Sequence, residues 1–202
     1  MEGLRERKKR QTRESIAAAA MKLFQAHGFD AVTVADVARA ADVSEKTVFN
    51  HFPTKEDLVF AHSEDRLEAR AEAIRSRPPG VPLIRVFEAE TMTFLDDLEG
   101  GLAEQMLAVP RIVRGSRSLR DRLLLGWEQE ASVLVAAVTD DPDDLVAAAV
   151  VRALAWTHRL AFRAAMRRVF AGEDPAEVAA DLREQALHAY ARLDRGLARY
   201  EG

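Results

Sequence analysis

The stretch Thr33–Lys55 reads T-V-A-D-V-A-R-A-A-D-V-S-E-K-T-V-F-N-H-F-P-T-K. It holds two short helical patterns joined by Ala41-Asp42-Val43, and two helices meeting across so tight a turn make a helix-turn-helix. The start signals are local. Thr33 precedes the first apolar residue with Asp36 three positions on, Ser44 precedes the second helix, and Thr54 with Asp57 opens a third segment. A hydroxyl at such a position accepts a hydrogen bond from a free backbone N–H and sets where a helix begins. Starts this closely spaced leave room only for short helices. Such helices cannot bury a core alone, so they serve to present a surface.

In the second helix Val48 and Phe52 lie four apart and share an inward face. Glu45, Lys46, Thr47, Phe49, Asn50 and His51 cover the remaining surface. Asn can pair with an adenine edge, Lys with guanine, and Thr can touch a thymine methyl. Composition alone does not distinguish this surface from an ordinary exposed helix of a globular domain.

A longer pattern distinguishes them. It runs through Ile16-Ala17-Ala18-Ala19, Leu23-Phe24 and His27-Gly28-Phe29, then Thr33-Val34, Val37-Ala38 and Ala40-Ala41-Asp42-Val43-Ser44. It closes on Thr47-Val48-Phe49-Asn50-His51-Phe52-Pro53-Thr54-Lys55-Glu56-Asp57-Leu58. From about Arg10 to Leu58 the chain resembles the N-terminal domain of the TetR family of bacterial transcriptional regulators. Lys46 stands where that family often has Gly or Arg, and Phe49 where Tyr is common, which removes one phosphate hydrogen bond and keeps the ring. The resemblance implies a regulator, most often a repressor, that binds a palindromic double-stranded DNA operator as a homodimer. It implies base contacts from Glu45, Lys46, Thr47 and Asn50, and backbone contacts from Thr33, Ser44, Phe49, His51 and Lys55.

The whole chain agrees with this reading. Its 202 residues are 48% hydrophobic and 31% charged, ordinary for a soluble globular chain. There is no cysteine, hence no disulfide or thiol chemistry. A basic N-terminus with no apolar core after it is not a signal peptide, and the apolar run Leu145–Val151 stops at Arg152, short of a membrane span. A cytoplasmic protein is expected. The net charge of -4 is unfavourable for DNA, but its distribution is not. Residues 1–13 carry six basic residues (Arg5, Arg7, Lys8, Lys9, Arg10, Arg13) against Glu2 and Glu6. Positive charge is thus concentrated beside the helix-turn-helix, where phosphates would lie.

The fold expected is all-α. An N-terminal three-helix domain covers 1–54, with a basic flexible tail at 1–11 and its first helix from about Thr12 to His27. A helical bundle for ligand binding and dimerisation covers 55–202. It begins with a connector helix over 55–75 and breaks at Arg77-Pro78-Pro79-Gly80. Further helices are read over 82–98, 102–113 (interrupted by Pro110), 116–139, 142–171 and 174–199. Asp141-Pro142 and Asp174-Pro175 supply the last two starts. The helix over 142–171 is apolar on more than one side and needs cover on two sides. With the stripe Val178, Leu182, Ala186, Ala189 and Leu193 on the last helix, it is read as the homodimer interface that the TetR resemblance also implies.

No nucleophile constellation or phosphate loop is present, and the five histidines show no close metal spacing, so no enzyme, cofactor or metal is expected. A pocket for an apolar small molecule is read among Phe87, Met92, Phe94, Met106, Ile112, Trp127, Trp156, His158 and Phe162, since bundle cavities are lined this way; plain core is the competing reading of each residue. Arg152, Arg159, Arg163 and Arg167 form a stripe on one helix, read first as a salt-bridged or solvated face with acidic partners on the last helix, and otherwise as a site for a carboxylate, phosphate or coenzyme A group. Pro110–Val113, Ser118–Arg120 and Trp127-Glu128 resemble a TetR subgroup that takes acyl-CoA-like ligands. Two other classes remain open at this point: a constitutive DNA-binding regulator without a ligand, and a helical enzyme.

Overall fold

A computed structural model of the protein describes residues 3–197. These hold nine α-helices and no strand, as the sequence predicts: α1 Leu4–His27, α2 Val34–Ala40, α3 Glu45–His51, α4 Ser63–Arg75, α5 Ile84–Asp97, α6 Ala103–Gly115, α7 Arg117–Ala136, α8 Leu145–Phe170 and α9 Pro175–Leu197. A 3-10 turn spans Glu56–Leu58, and a π-helical turn spans Leu98–Leu102. The chain forms two compact units. One takes residues 3–64 together with 108–124; the other takes 65–107 and 125–197.

In the first unit the local signals act as read. Asp36 N–H donates to Thr33 Oγ1 at 3.2 Å, and Thr33 N–H returns a bond to Asp36 Oδ2 at 3.0 Å. A cap of this kind contributes about 1 kcal/mol. Asp42 takes the left-handed conformation (φ 54°) that closes the turn, a conformation Asp tolerates better than most residues. Val43 N–H then reaches Ala38 O at 3.0 Å. Ile16, Phe24, Phe29, Val37, Val48, Phe52 and Leu58 form the core, with the Phe24 and Phe29 rings 5.0 Å apart. Ile112, Val113 and Leu119 complete it.

Three expectations change here. The basic stretch read as a flexible tail is helical from Leu4, because good helix formers continue the first helix and Glu6 accepts from the Gly3 N–H at 3.3 Å; of the charges counted there, Glu2 lies outside the described residues. The connector is not one helix over 55–75. Thr54 and Asp57 cap only the 3-10 turn, and α4 begins at Ser63. The apolar residues of 58–61 belong to the first unit's core, so compactness divides the chain at 64, whereas the sequence reading divided it at 54.

In the second unit α9 packs on α5 and α8. Phe87, Leu134, Val151, Leu154 and Tyr190 make one buried cluster, and Leu95, Leu98, Met166, Val178 and Leu182 another. Gly101 (φ 90°) bends the chain out of the π-helical turn. Pro110 does not stop α6, although the helix loses one N–H bond there. The cap of α8 is Asp144, accepting from Ala147 N–H at 2.8 Å, so the helix starts after Pro142. Asp174 caps α9 as read, accepting from Ala176 and Glu177 N–H at 2.8 and 3.2 Å; the end expected at Arg199 lies outside the described residues.

The apolar stripe of α9 is spent within its own chain: Val178, Leu182 and Ala186 are buried against α5 and α8. The α8 helix is not buried all round, for Leu145, Val146, Trp156 and Leu160 are 79, 55, 42 and 51% exposed. Its apolar pattern continues past Arg152, so by length and composition it is the one helix among the described residues that could cross a membrane. Its other face packs in the bundle core, and Arg159 near its middle is ion-paired to Glu130.

Candidate nucleic-acid interface

The α3 helix is held by two buried side chains and offers the rest outward. Val48 and Phe52 are each 1% exposed, locking the rotation of the helix about its axis. Glu45, Lys46, Phe49 and Asn50 are therefore exposed, with the Phe49 ring at 48%. Ser44 is exposed and caps the helix, accepting from Thr47 N–H at 3.1 Å. Thr47 is half-buried, its hydroxyl 2.8 Å from Ser44 Oγ. Thr33 is exposed at the start of α2.

Two further expected contacts are held more firmly than the sequence suggests. The Lys55 ammonium lies 4.2 Å over the Phe29 ring centroid, which fixes it near the surface. His51 closes α3, its carbonyl accepting from Arg13 Nη1 at 2.6 Å. Burial first, then the charges of Lys9 and Arg13, hold its imidazole below the usual histidine range. His51 Nδ1 is buried with no hydrogen-bond partner. Arg5, Arg7, Lys8, Lys9 and Arg10 of α1 are all exposed.

Arg13 does more than add to the basic run. Its guanidinium bonds the His51 and Ala61 carbonyls, the latter at 3.0 Å, and lies 4.3 Å over the Phe52 ring. It clamps the end of α3 to α1 and to the segment after the 3-10 turn. The segment 108–124 is likewise part of this unit. Ser116 donates to Asp30 at 3.0 Å, and Arg122 pairs with Asp57 at 3.2 Å.

A family model described as bacterial regulatory proteins, tetR family, matches residues 16–62. A curated relative, the HTH-type transcriptional regulator TcmR of Streptomyces glaucescens, is 30% identical over 151 residues, covering 70% of this chain and 67% of that protein. The chain belongs to the TetR family. It is a DNA-binding transcriptional regulator of that family. The fold agrees with solved structures. Salmonella enterica GusR aligns with a TM-score of 0.59 at 19% identity, over 94% of this chain and 96% of that one. A SmeT–triclosan complex aligns at 0.58 and 18% identity, over 89% and 91%.

The residues read as a pocket do not all come together. Ile112 lies in the core of the first, DNA-binding unit of this TetR-family chain. Phe94, Met92, Met106 and Phe162 share one cluster of the second unit, and Phe87 belongs to the other. Trp127 and Trp156 meet edge to face, 5.9 Å between centroids. Between these groups runs a polar network absent from the sequence reading. Arg70 of α4 pairs with Glu90 of α5 at 2.9 Å and with Glu130 of α7, and Arg159 of α8 pairs with Glu130 at 3.0 Å. Beside it His158 Nδ1 lies 3.0 Å and Tyr190 Oη 2.8 Å from Thr91 Oγ1. Burial, then the positive charge of Arg70 and Arg159, holds the His158 imidazole down to about 4, so it is neutral. Burial pushes the Tyr190 hydroxyl up to about 12.

The arginine stripe is accordingly part ion-paired and part exposed, with its partners on a different helix from the one expected. Arg152 bonds Glu128 at 2.8 Å and Arg159 bonds Glu130 and the Trp127 carbonyl, all on α7 rather than the last helix. Arg163 and Arg167 are exposed.

Proposed function

We propose that this protein is a ligand-responsive repressor that binds a palindromic operator as a homodimer in the bacterial cytoplasm. The observation that carries the reading is α3 itself. It is anchored by Val48 and Phe52 and presents Glu45, Lys46, Thr47 and Asn50 for base edges in the major groove. Thr33, Ser44, Phe49, His51 and Lys55 surround them for the phosphate backbone. The exposed basic turns of α1 add the sequence-independent attraction. Replacing Lys55 by Ala is expected to weaken binding to all sequences alike and to lower the slope of log affinity against log salt by about one unit. Fluorescence anisotropy over a salt series measures this.

The dimer is supported by the apolar row that α8 leaves uncovered, Leu145, Val146, Trp156 and Leu160, with Leu187 of α9 also exposed. Two copies would set their α3 helices about 34–36 Å apart to enter successive major grooves. An effector site in the second unit is supported by its aromatic and methionine clusters, and by the triclosan held by the SmeT neighbour. Such an effector acts by favouring one conformation over the other. It would thereby spoil the spacing of both reading heads. Coupling of about 1–3 kcal/mol gives a 5- to 150-fold loss of operator affinity, and operator must weaken effector binding by the same factor. Titrating an effector with and without operator tests this. Equal affinity in both would leave a constitutive DNA-binding regulator.

A further inference from the structure

The second unit holds more hydrogen-bond donors than it uses at one place. Arg70 and Arg159 each hold one oxygen of Glu130, so the two guanidiniums are fixed on either side of a single carboxylate. Arg70 spends its Nε on Glu90. Arg70 Nη2 and Arg159 Nε are then buried with no partner. A buried N–H left unpaired is costly, so two on neighbouring cations call for an acceptor. Aromatic surface adjoins them: the Arg159 guanidinium lies 5.2 Å from the Trp127 ring centroid and 5.9 Å from that of Trp156.

We propose that the effector is an aromatic carboxylate, whose two oxygens accept from Arg70 Nη2 and Arg159 Nε while its ring packs on the Trp127–Trp156 pair. The inference rests on the ligand-responsive reading given above and names the chemical class. Arginine is the side chain suited to a planar carboxylate, and each of the two guanidiniums offers one unpaired N–H.

The charges dictate a second property. Without the effector, Arg70 and Arg159 are balanced by Glu90 and Glu130. A third carboxylate leaves one negative charge in excess in a buried place, which is costly unless it is neutralised. The groups facing Glu90 from the packed helices are Arg70 of α4, Glu130 of α7, His158 and Arg159 of α8 and Tyr190 of α9. His158 is held neutral, and Tyr190 already carries its proton. Burial pushes the Glu90 carboxyl up, against the pull of Arg70. Glu90 therefore takes one proton from solvent as the effector enters.

Calorimetric titration of the full chain near pH 7, in two buffers of different ionisation enthalpy, tests both points. The probes are benzoate, naphthalene-1-carboxylate and anthracene-9-carboxylate, each beside the neutral alcohol with CH₂OH in place of the carboxylate. At least one acid should bind about tenfold or more tighter than its alcohol, with about one proton taken up. Glu90→Gln should keep the binding and abolish the proton uptake, a signature that a purely structural role for Glu90 would not give. Arg159→Lys, which keeps the charge and loses Nε, should weaken the acid about tenfold. If no acid binds tighter than its alcohol, or if an acid binds without proton uptake, the proposal is overturned. Release of operator by an alcohol but by none of the acids would overturn it while leaving the ligand-responsive reading standing.

Discussion

Replacing Arg70 by Met should destabilise the protein by about 3–5 kcal/mol, the range for removing one partner of a buried ion pair. Arg70 is 19% exposed and serves two carboxylates, Glu90 and Glu130, which are 31 and 19% exposed. Its loss leaves Glu90 without its cation, whereas Glu130 retains Arg159. Removing Glu90 as well, in Arg70→Met with Glu90→Met, should therefore recover most of the loss, because an apolar pair of similar volume replaces the ion pair. Urea unfolding of the wild type, the single variant and the double variant measures this. A cost below about 1 kcal/mol for the single change, the range of surface pairs, would mean that the chain of charges is solvated.

Acid should weaken the fold through His158. Its folded-state value, about 4, lies below the ordinary 6.5. The folded protein therefore binds fewer protons than the unfolded chain, and the contribution of His158 is complete above about 6.5 and lost as pH falls toward 4. A shift of this size corresponds to about 3 kcal/mol between pH 7 and pH 4. Glu90 works in the opposite sense, since its raised value favours the folded state at low pH. The pH dependence of the wild type must therefore be compared with that of His158→Gln, which keeps a hydrogen-bonding group near Thr91. The difference between the two should change by about 3 kcal/mol over that window. Parallel curves would show that the imidazole titrates in the open.

What was legible in the sequence is what local chemistry encodes. The starts of α2 and α3 at Thr33 and Ser44 and of α9 at Asp174 were readable, because each cap acts over three residues or fewer. So was the outward set on α3, because Val48 and Phe52 fix its rotation. Arg13 was readable only as one more charge; its partners lie 38 and 48 positions away. Ile112 has the apolar spacing of a core residue, but spacing does not say which core. Of the Arg70–Glu90–Glu130–Arg159 network only Arg159 left a mark, as one member of the arginine stripe, since single charges on different helices do not show which of them meet. Its orphan donors belong to the packing alone. The helical start at Leu4 was missed because a basic run reads equally well as a tail or as an exposed first turn.

The central claim is that α3 reads a DNA sequence. It is tested most directly by incubating the purified protein with a random pool of duplexes and sequencing the bound fraction, for the wild type and for Asn50→Ala. The wild type should enrich one palindrome with half-sites about one helical turn apart or a multiple of it. Asn50→Ala should bind that palindrome about 1–3 kcal/mol more weakly and lose the preference at one position in each half-site. Enrichment of no sequence by the wild type, or of the same palindrome with undiminished preference by the variant, would contradict the account.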